Sequence, residues 1–565
     1  MDKQSGAKGF TVLSVAGIIN KVLGVLYVPV LMLILGNFGM GIYNAGYTIY
    51  LMVFVITNAG IPIAISKLVS EQIASSQNEA SYRTLKVSGA LLISIGVFTS
   101  ILTAVFAKQF SALLHWPDSY LTVLALSPTM FFTAVSCTFR GYFQGRSNMV
   151  PTSVSQVIEQ AVNSTLTILF AWALYRYGRD YAVLHGVTGE QNIYLEAVKF
   201  GAAGGTIGTS VGALASALYL CRKYLKSRSG ILKELEEPVQ SEQSRRYTTK
   251  RILKKIFQYS IPITLGSVAI YMTSLIDLSF TKTRLVAGGF SEIRATELYG
   301  IFSTQYLKVL FIPVTIATAL ATAIIPGISA AAAVGDGALL GKRISRSIKT
   351  ILMISVPSAV GMAVLAKPIV RILFPKSPDG WDLLMLGSWT IILISLVSIQ
   401  TAILQGIGKT YVPTVHLVIG LALKLFLNYN LVSIKAINMK GAIIGSAACY
   451  IFAAYMNYRS IKKYTGVQLS VKRLFNRPFS VSVIMGVLVL LIYEGFEFMT
   501  GFVIKSVFLQ SVICGGLAIA AGGIVYYVLM ILARGLTVDD IRSFPMGNRV
   551  LAATRKLPLV QKYLA

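Results

Sequence analysis

Apolar stretches long enough to cross the ~30 Å hydrocarbon core of a bilayer recur along this chain from Phe10 to Ala533. No other feature limits its fold so strongly. With no water to bond exposed backbone groups, a spanning segment of about twenty residues satisfies its own N–H and C=O groups only as a helix. Composition agrees: of 565 residues, 55% are hydrophobic and 13% are charged. Soluble globular chains carry about 25% charged residues, so this one lacks the polar surface to coat a large soluble domain. The fold class is therefore an all-α polytopic membrane protein.

Apolar length and helix breakers predict about fourteen transmembrane helices, at 10–36, 42–66, 86–107, 119–140, 150–175, 200–221, 254–280, 298–325, 349–373, 383–405, 412–434, 440–458, 479–500 and 506–533. The first follows Lys3 and Lys8 but is too long for a signal-peptide core and has no small-residue cleavage site, so it is expected to be retained. Basic residues cluster between alternate spans, as at Lys342, Arg343, Arg346 and Lys349, at Arg459, Lys462 and Lys463, and in the tail from Arg534. The positive-inside rule then places both termini on the cytoplasmic side of the membrane.

The formal net charge of +29 is this same bias. Its densest run, Arg222 to Lys255, is a short connection between spans, which suits anionic lipid headgroups better than nucleic acid. Cys137, Cys221, Cys449 and Cys514 are far apart, and His115, His185 and His416 are scattered, so no disulfide framework or metal site is expected. No GxxxxGK[ST] segment occurs, and GxSxG is met only as Gly208-Thr-Ser-Val-Gly212 inside an apolar span rather than as a strand-to-helix elbow, so neither ATP hydrolysis nor any catalytic residue is expected. Membrane potential or an ion gradient would then drive any transport, with no cofactor.

The chain also repeats itself. Ile61-Pro62 with Ser66 is echoed by Ile325-Pro326 with Ser329, and Phe143-Gln144-Gly145 leading to Pro151-Thr152 by Leu404-Gln405-Gly406 leading to Pro413-Thr414. The prolines lie 264 and 262 positions apart. Gly204 and Gly208 are echoed by Gly441 and Gly445, an offset of 237, as an insertion in the loop before the sixth span requires. Each fragment alone reads as a turn, a helix start or a packing contact. Together they predict two six-helix lobes: residues 1–222, and residues 254–463 after a basic cytoplasmic linker at 223–253. An extra helix pair at 464–533 and a basic cytoplasmic tail at 534–565 complete the chain.

A charge at mid-membrane costs about 2.5–3.5 kcal/mol on insertion scales, so each one needs a reason. Lys21, Lys308 and Lys424 lie well inside their spans, while Lys67, Glu71 and Arg140 lie near cytoplasmic ends, within reach of the headgroups by snorkelling. Lys21 and Lys308 are read as lining a hydrated cavity. Lys424, with Asn428 one turn on, is open between cavity and structural roles. Glu159 and Asp277 either bind a coupling cation or neutralise these lysines. A cavity with more lysine than carboxylate suits an anionic substrate, because unpaired ammonium groups in a low dielectric attract phosphate strongly.

The run Asn58-Ala-Gly-Ile-Pro-Ile-Ala-Ile-Ser-Lys-Leu-Val-Ser-Glu71 resembles a signature of the SpoVB/YtgP group of the MOP exporter superfamily. So do Phe139-Arg-Gly-Tyr-Phe-Gln-Gly145 with Met149-Val-Pro-Thr152, and Ser155-Gln-Val-Ile-Glu-Gln160. Lys424-Leu-Phe-Leu-Asn-Tyr429 and Gly441-Ala-Ile-Ile-Gly445 are similar to the group's eleventh and twelfth helices, and the resemblance runs from about residue 10 to about 534. That superfamily also holds MurJ-like lipid II flippases, O-antigen flippases and MATE drug exporters.

The resemblance implies a V-shaped, MATE-like arrangement of the two lobes around a cationic cavity, and a polyprenyl-tail groove formed by the last two helices. MurJ-like flippases carry essential arginines in their first, second and eighth helices; Lys21, Lys67 and Lys308 occupy comparable spans as lysines. With Arg140 and Lys424 they make up the candidate substrate-binding set. The function implied is flipping an undecaprenyl-diphosphate-linked peptidoglycan precursor, lipid II, to the outer leaflet by alternating access. Alternatives are a MATE-like cation or drug antiporter, a flippase for another lipid-linked polysaccharide, a sporulation-specific role, and a non-transporting scaffold. Expected partners are the lipid-linked saccharide, bilayer lipids and the cell-wall synthesis machinery, with the chain monomeric.

Overall fold

The computed structural model describes residues 6–236, 248–468, 470–501, 506–538, 551–552 and 554, and is all-helical among them. Residues 237–247 of the expected linker and most of the expected tail lie outside the described residues. The chain divides into two compact units, Met1–Ile301 and Phe302–Ala565.

The first unit holds α1 (Gly6–Asn58), α2 (Ile61–Ala74), α3 (Asn78–Val105), α4 (Ala107–Leu113), α5 (Tyr120–Gly145), α6 (Val150–Leu184), α7 (Glu190–Glu236), α8 (Thr249–Ala287) and α9 (Glu292–Ile301). Helix α1 is kinked at Gly36, whose φ of 63° and ψ of −177° only glycine adopts readily. A side chain there would also collide with the Tyr194 hydroxyl, which donates to the Leu35 carbonyl at 2.9 Å. Helix α2 starts cleanly because Pro62 stands in its first turn, where its missing N–H leaves no intrahelical bond unmade.

Hydrophobic burial against lipid provides little force between membrane helices, so close backbone approach through small residues has to hold them. Gly141 and Gly145 of α5 lie so close to α2 that a Cβ on them would sit 2.9 Å from the Pro62 carbonyl and 2.8 Å from that of Ser66. Around this contact Ile61, Ile65 and Leu68 of α2, Leu85 and Leu92 of α3 and Tyr142 of α5 pack with Ile252 and Ile256 of α8. Helix α8, which the sequence assigns to the second lobe, is thus part of the core of this unit.

The second unit opens on a π-helical turn, Phe302–Leu307, followed by α10 (Lys308–Val334), α11 (Gly337–Val364), α12 (Ala366–Leu373), α13 (Trp381–Gly387), α14 (Thr390–Gly406), α15 (Val412–Leu431), α16 (Lys440–Thr465), α17 (Val471–Gly501) and α18 (Val507–Leu532). Gly335 and Gly466, with φ of 73° and 70°, end α10 and α16 in the left-handed conformation. Asp336 caps α11 by accepting from the Leu339 N–H at 2.9 Å. The C-terminal pair packs on α11 through Val360, Met485, Val489, Cys514 and Ala518.

Among the described residues eleven helices are long and apolar enough to cross a membrane, or twelve with the pair α13–α14, bent by 44°, taken as one span. The structure therefore does not reach the expected fourteen, for two reasons. The first candidate is a single 60-residue stretch, Val15–Ala74, where the sequence places two spans. At 1.5 Å per residue it is about 90 Å long, three bilayer cores, so the break at Gly36 separates two crossings. Helix α16 occupies the place of the twelfth expected span but is not among these candidates.

Candidate functional site

Arg140 and Glu159 are brought together. Arg140 comes from the last turns of α5 and Glu159 from α6, and the guanidinium meets the carboxylate at 2.6 Å. The same guanidinium group donates to Ser155 Oγ at 3.0 Å and Ser216 Oγ at 2.8 Å, so α5, α6 and α7 are tied by one fork of donors. Their side chains are 14% and 28% exposed, so the pair is largely withdrawn from solvent. Of the two roles the sequence allows Glu159, this geometry favours neutralisation, with an arginine rather than a lysine as the partner.

Lys67 lies exposed on α2 with its ammonium 4.0 Å from the centre of the Tyr259 ring, a cation–π contact that leaves the charge able to meet a ligand. Glu71, one turn on, accepts from Tyr259 Oη at 3.2 Å and lies 3.8 Å from Lys255 Nζ. Lys21 is exposed on α1, near the point where Ser164 of α6 reaches the Leu23 carbonyl. Asp277 is buried on α8, and its main-chain carbonyl accepts from the Thr281 hydroxyl.

In the second unit Lys308 is half-buried and is the first α-helical residue after the π-helical turn. Lys424 is fully buried on α15. Its neighbours on that face are Gly420, which approaches Cys449 of α16, and Asn428, against which Gly445 of α16 closes. One turn before Gly420, His416 shares a hydrogen bond with Asn457 of α16 at 2.8 Å. Lys424 therefore belongs to the α15–α16 seam, and of the two roles open to it the structural one has the better geometry.

Sequence reading missed a second cluster in the first unit. A cavity of about 330 Å³ is lined by Asp118, Glu196, Lys199, Lys282 and Glu292, with Phe38, Val187 and Ile293 among its apolar walls. Lys199 bridges Asp118 at 3.0 Å and Glu196 at 2.7 Å, and Lys282 pairs with Glu292 at 3.3 Å while lying 5.2 Å from the Trp116 ring centre. These charges fall in or beside connections between spans, where nothing in the sequence separates them from ordinary solvated residues. Among the described residues no group of three His, Cys, Asp or Glu side chains is placed to hold a metal ion.

The chain is similar to known proteins over most of its length. It is 28% identical to the "Lipid II flippase MurJ" of Bacillus subtilis (strain 168), over 92% of this chain and 94% of that protein. It is 24% identical to the same organism's "Stage V sporulation protein B", over 98% of this chain and 100% of that one. Among solved structures, an inward-facing MATE multidrug transporter of the MOP superfamily superposes with a TM-score of 0.62 at 15% identity, covering 80% of this chain and 96% of that one. A lipid II flippase MurJ in an inward closed conformation gives 0.60 at 15% identity, covering 93% and 99%. At such identities the structural matches establish the fold, that of the MOP superfamily, and the helical, multi-pass character of the chain. The polysaccharide biosynthesis protein family matches residues 7–332, more than half the chain. The chain belongs to the polysaccharide biosynthesis protein family and has the fold of the MOP superfamily of membrane transporters.

Proposed function

We propose that the chain is a flippase for an undecaprenyl-diphosphate-linked saccharide, lipid II first among the candidates, carried from the inner to the outer leaflet by alternating access. The observation that carries this reading is how the intramembrane charges divide. Arg140 is held by Glu159, Lys424 is buried in a helix seam, and Lys21, Lys67 and Lys308 keep some exposure on their helices. Ammonium groups in a low-dielectric setting attract a diphosphate strongly, and lysine supplies that attraction as a point charge. On this reading Lys21, Lys67 and Lys308 each offer the diphosphate a cationic contact, Arg140 and Lys424 support their own helices, and α17–α18 receives the polyprenyl tail. Both termini would be cytoplasmic, and an ion gradient or the membrane potential would drive the cycle.

The similarity to MATE structures favours a second reading, a cation or drug antiporter. Cation coupling needs a carboxylate to bind the ion, and Glu159 is committed to Arg140, while Asp277 is buried on α8. Complementation of a strain depleted of its lipid II flippases separates the two, scored by survival and by lipid II reachable at the outer surface. The wild-type chain is expected to rescue, and Lys21→Ala and Lys308→Ala to lose rescue at unchanged membrane levels. Full rescue by both variants sinks the site assignment. Failure of the wild-type chain, despite verified expression, shifts the substrate to another polyprenyl-linked glycan or the role to sporulation. A scaffold would tolerate loss of all these lysines.

A further inference from the structure

We propose that Gln305 is a positioning residue for Lys308: its side chain holds the π-helical turn Phe302–Leu307 open, and that turn decides which face of α10 presents the lysine. In such a turn the backbone bonds run from i to i+5, a geometry that is rare and is met mostly as single turns near functional sites. An α-helix is the better-bonded alternative for the same residues, so something outside the turn must hold it. Two neighbouring side chains supply that hold.

Gln305 is completely buried, and both ends of its amide are used on one loop. Nε2 donates to the Ser377 carbonyl at 2.8 Å, and Oε1 accepts from the Gly380 N–H at 2.7 Å. Tyr306, also buried, lies against Gly387 at the end of α13, where any Cβ would collide with its ring. Its hydroxyl is 3.3 Å from Thr390 Oγ1 at the start of α14. The turn is thus pinned to the 377–380 loop and to the bend between α13 and α14 by consecutive residues.

The consequence for Lys308 is geometric. A π turn takes in one residue more than an α turn, so relaxing it without changing the residue count rotates the start of α10 by one residue, about 100°. Leu307 would then point where Lys308 pointed. The part this gives Gln305 in transport rests on the flippase reading of Lys308; the rotation does not.

The test uses the full chain with Cys137, Cys221, Cys449 and Cys514 replaced by serine, carrying a single cysteine as Lys308→Cys or Leu307→Cys. Purified in detergent, each is reacted with a water-soluble charged maleimide. With Gln305 present, the two half-buried positions are expected to react at comparable rates. Adding Gln305→Leu should lower the 308-to-307 ratio about tenfold, because the rotation carries position 308 to the buried place of Val309, and deleting Thr304 from the Gln305→Leu chain should restore it, because one residue fewer lets an α turn keep the original phase. A merely structural glutamine would give no such rescue. An unchanged 308-to-307 ratio in folded Gln305→Leu overturns the proposal. If that variant does not fold, Gln305→Glu, which keeps the bond to Gly380 and loses the donor to Ser377, should lower the ratio part of the way, and no change there overturns it equally. Should the ratio fall while Lys308→Ala still rescues the flippase-depleted strain, the positioning stands and the substrate role of Lys308 falls.

Discussion

Helices α6 and α7 of the first unit and α15 and α16 of the second repeat one packing motif with different polar contents. In the first, Gly204 closes on the Phe170 carbonyl and Gly208 on the Thr167 backbone; in the second, Gly441 closes on Leu431 and Gly445 on Asn428. The partners in each case are 261 positions apart (431 and 170, 428 and 167), which puts Asn163 in the place of Lys424. Asn163 Oδ1 accepts from Thr167 at 2.9 Å and Thr209 at 3.1 Å, a neutral network, whereas Lys424 puts an amine in a fully buried seam. The glycines fix how closely the backbones approach. What fills the space beside them is free to diverge.

The largest effect should come from breaking that shared geometry. Gly208→Leu and Gly445→Leu place a side chain where no room exists, and overpacking of this kind costs about 3 kcal/mol or more when backbone has to shift. Both variants should lose the monodisperse peak in detergent or melt well below the wild type. Gly230→Leu, on α7 but with nothing within 4 Å of the added Cβ, should melt at or above it. Equal behaviour of all three would remove the close-packing account.

Next in size is the charge pair that joins α5 to α6 in the first unit. Arg140→Ala leaves the Glu159 carboxylate without its guanidinium at a site only partly open to solvent. The expected loss is about 2 kcal/mol, below the ~3–5 of a fully buried pair. Arg140→Met combined with Glu159→Gln should regain most of it. A double variant no more stable than the single one would mean that the serine contacts, not the charge, hold α5 to α6 and α7.

The second seam should respond more weakly. Lys424→Met preserves volume while removing one polar member of the seam, and the hydrogen bonding it gives up is worth about 1 kcal/mol. Loss of transport at unchanged stability would move Lys424 from the packing seam to the substrate path. The smallest stability effect belongs to Lys21→Ala, at an exposed position where changes rarely exceed about 0.5 kcal/mol. Its loss of complementation, if seen, then reports on function alone.

Much of this was legible in advance. The helical membrane class, the spacing of most spans and the duplicated Gly and Pro signals follow from apolar length and residue type, because hydrocarbon admits few backbone solutions and small residues have few uses there. The candidate charges were visible for the same reason, as costly residues in apolar surroundings. Their partners were not. Arg140 and Glu159 are 19 positions apart on different helices, and whether they meet depends on helix rotation and on Ser216 arriving from α7.

The amino-acid sequence by itself determined that this chain spans a membrane as a bundle of helices, that it carries duplicated glycine and proline signals, and which residues are expensive to bury. Tertiary structure alone decided which charges cancel, that α8 packs with the first unit, and that a π-helical turn precedes Lys308. The physical reason is range. Hydropathy and backbone bonding act within a segment, whereas an ion pair, a glycine contact or a glutamine clamp depends on the rotation of two helices about their axes, which no single segment encodes.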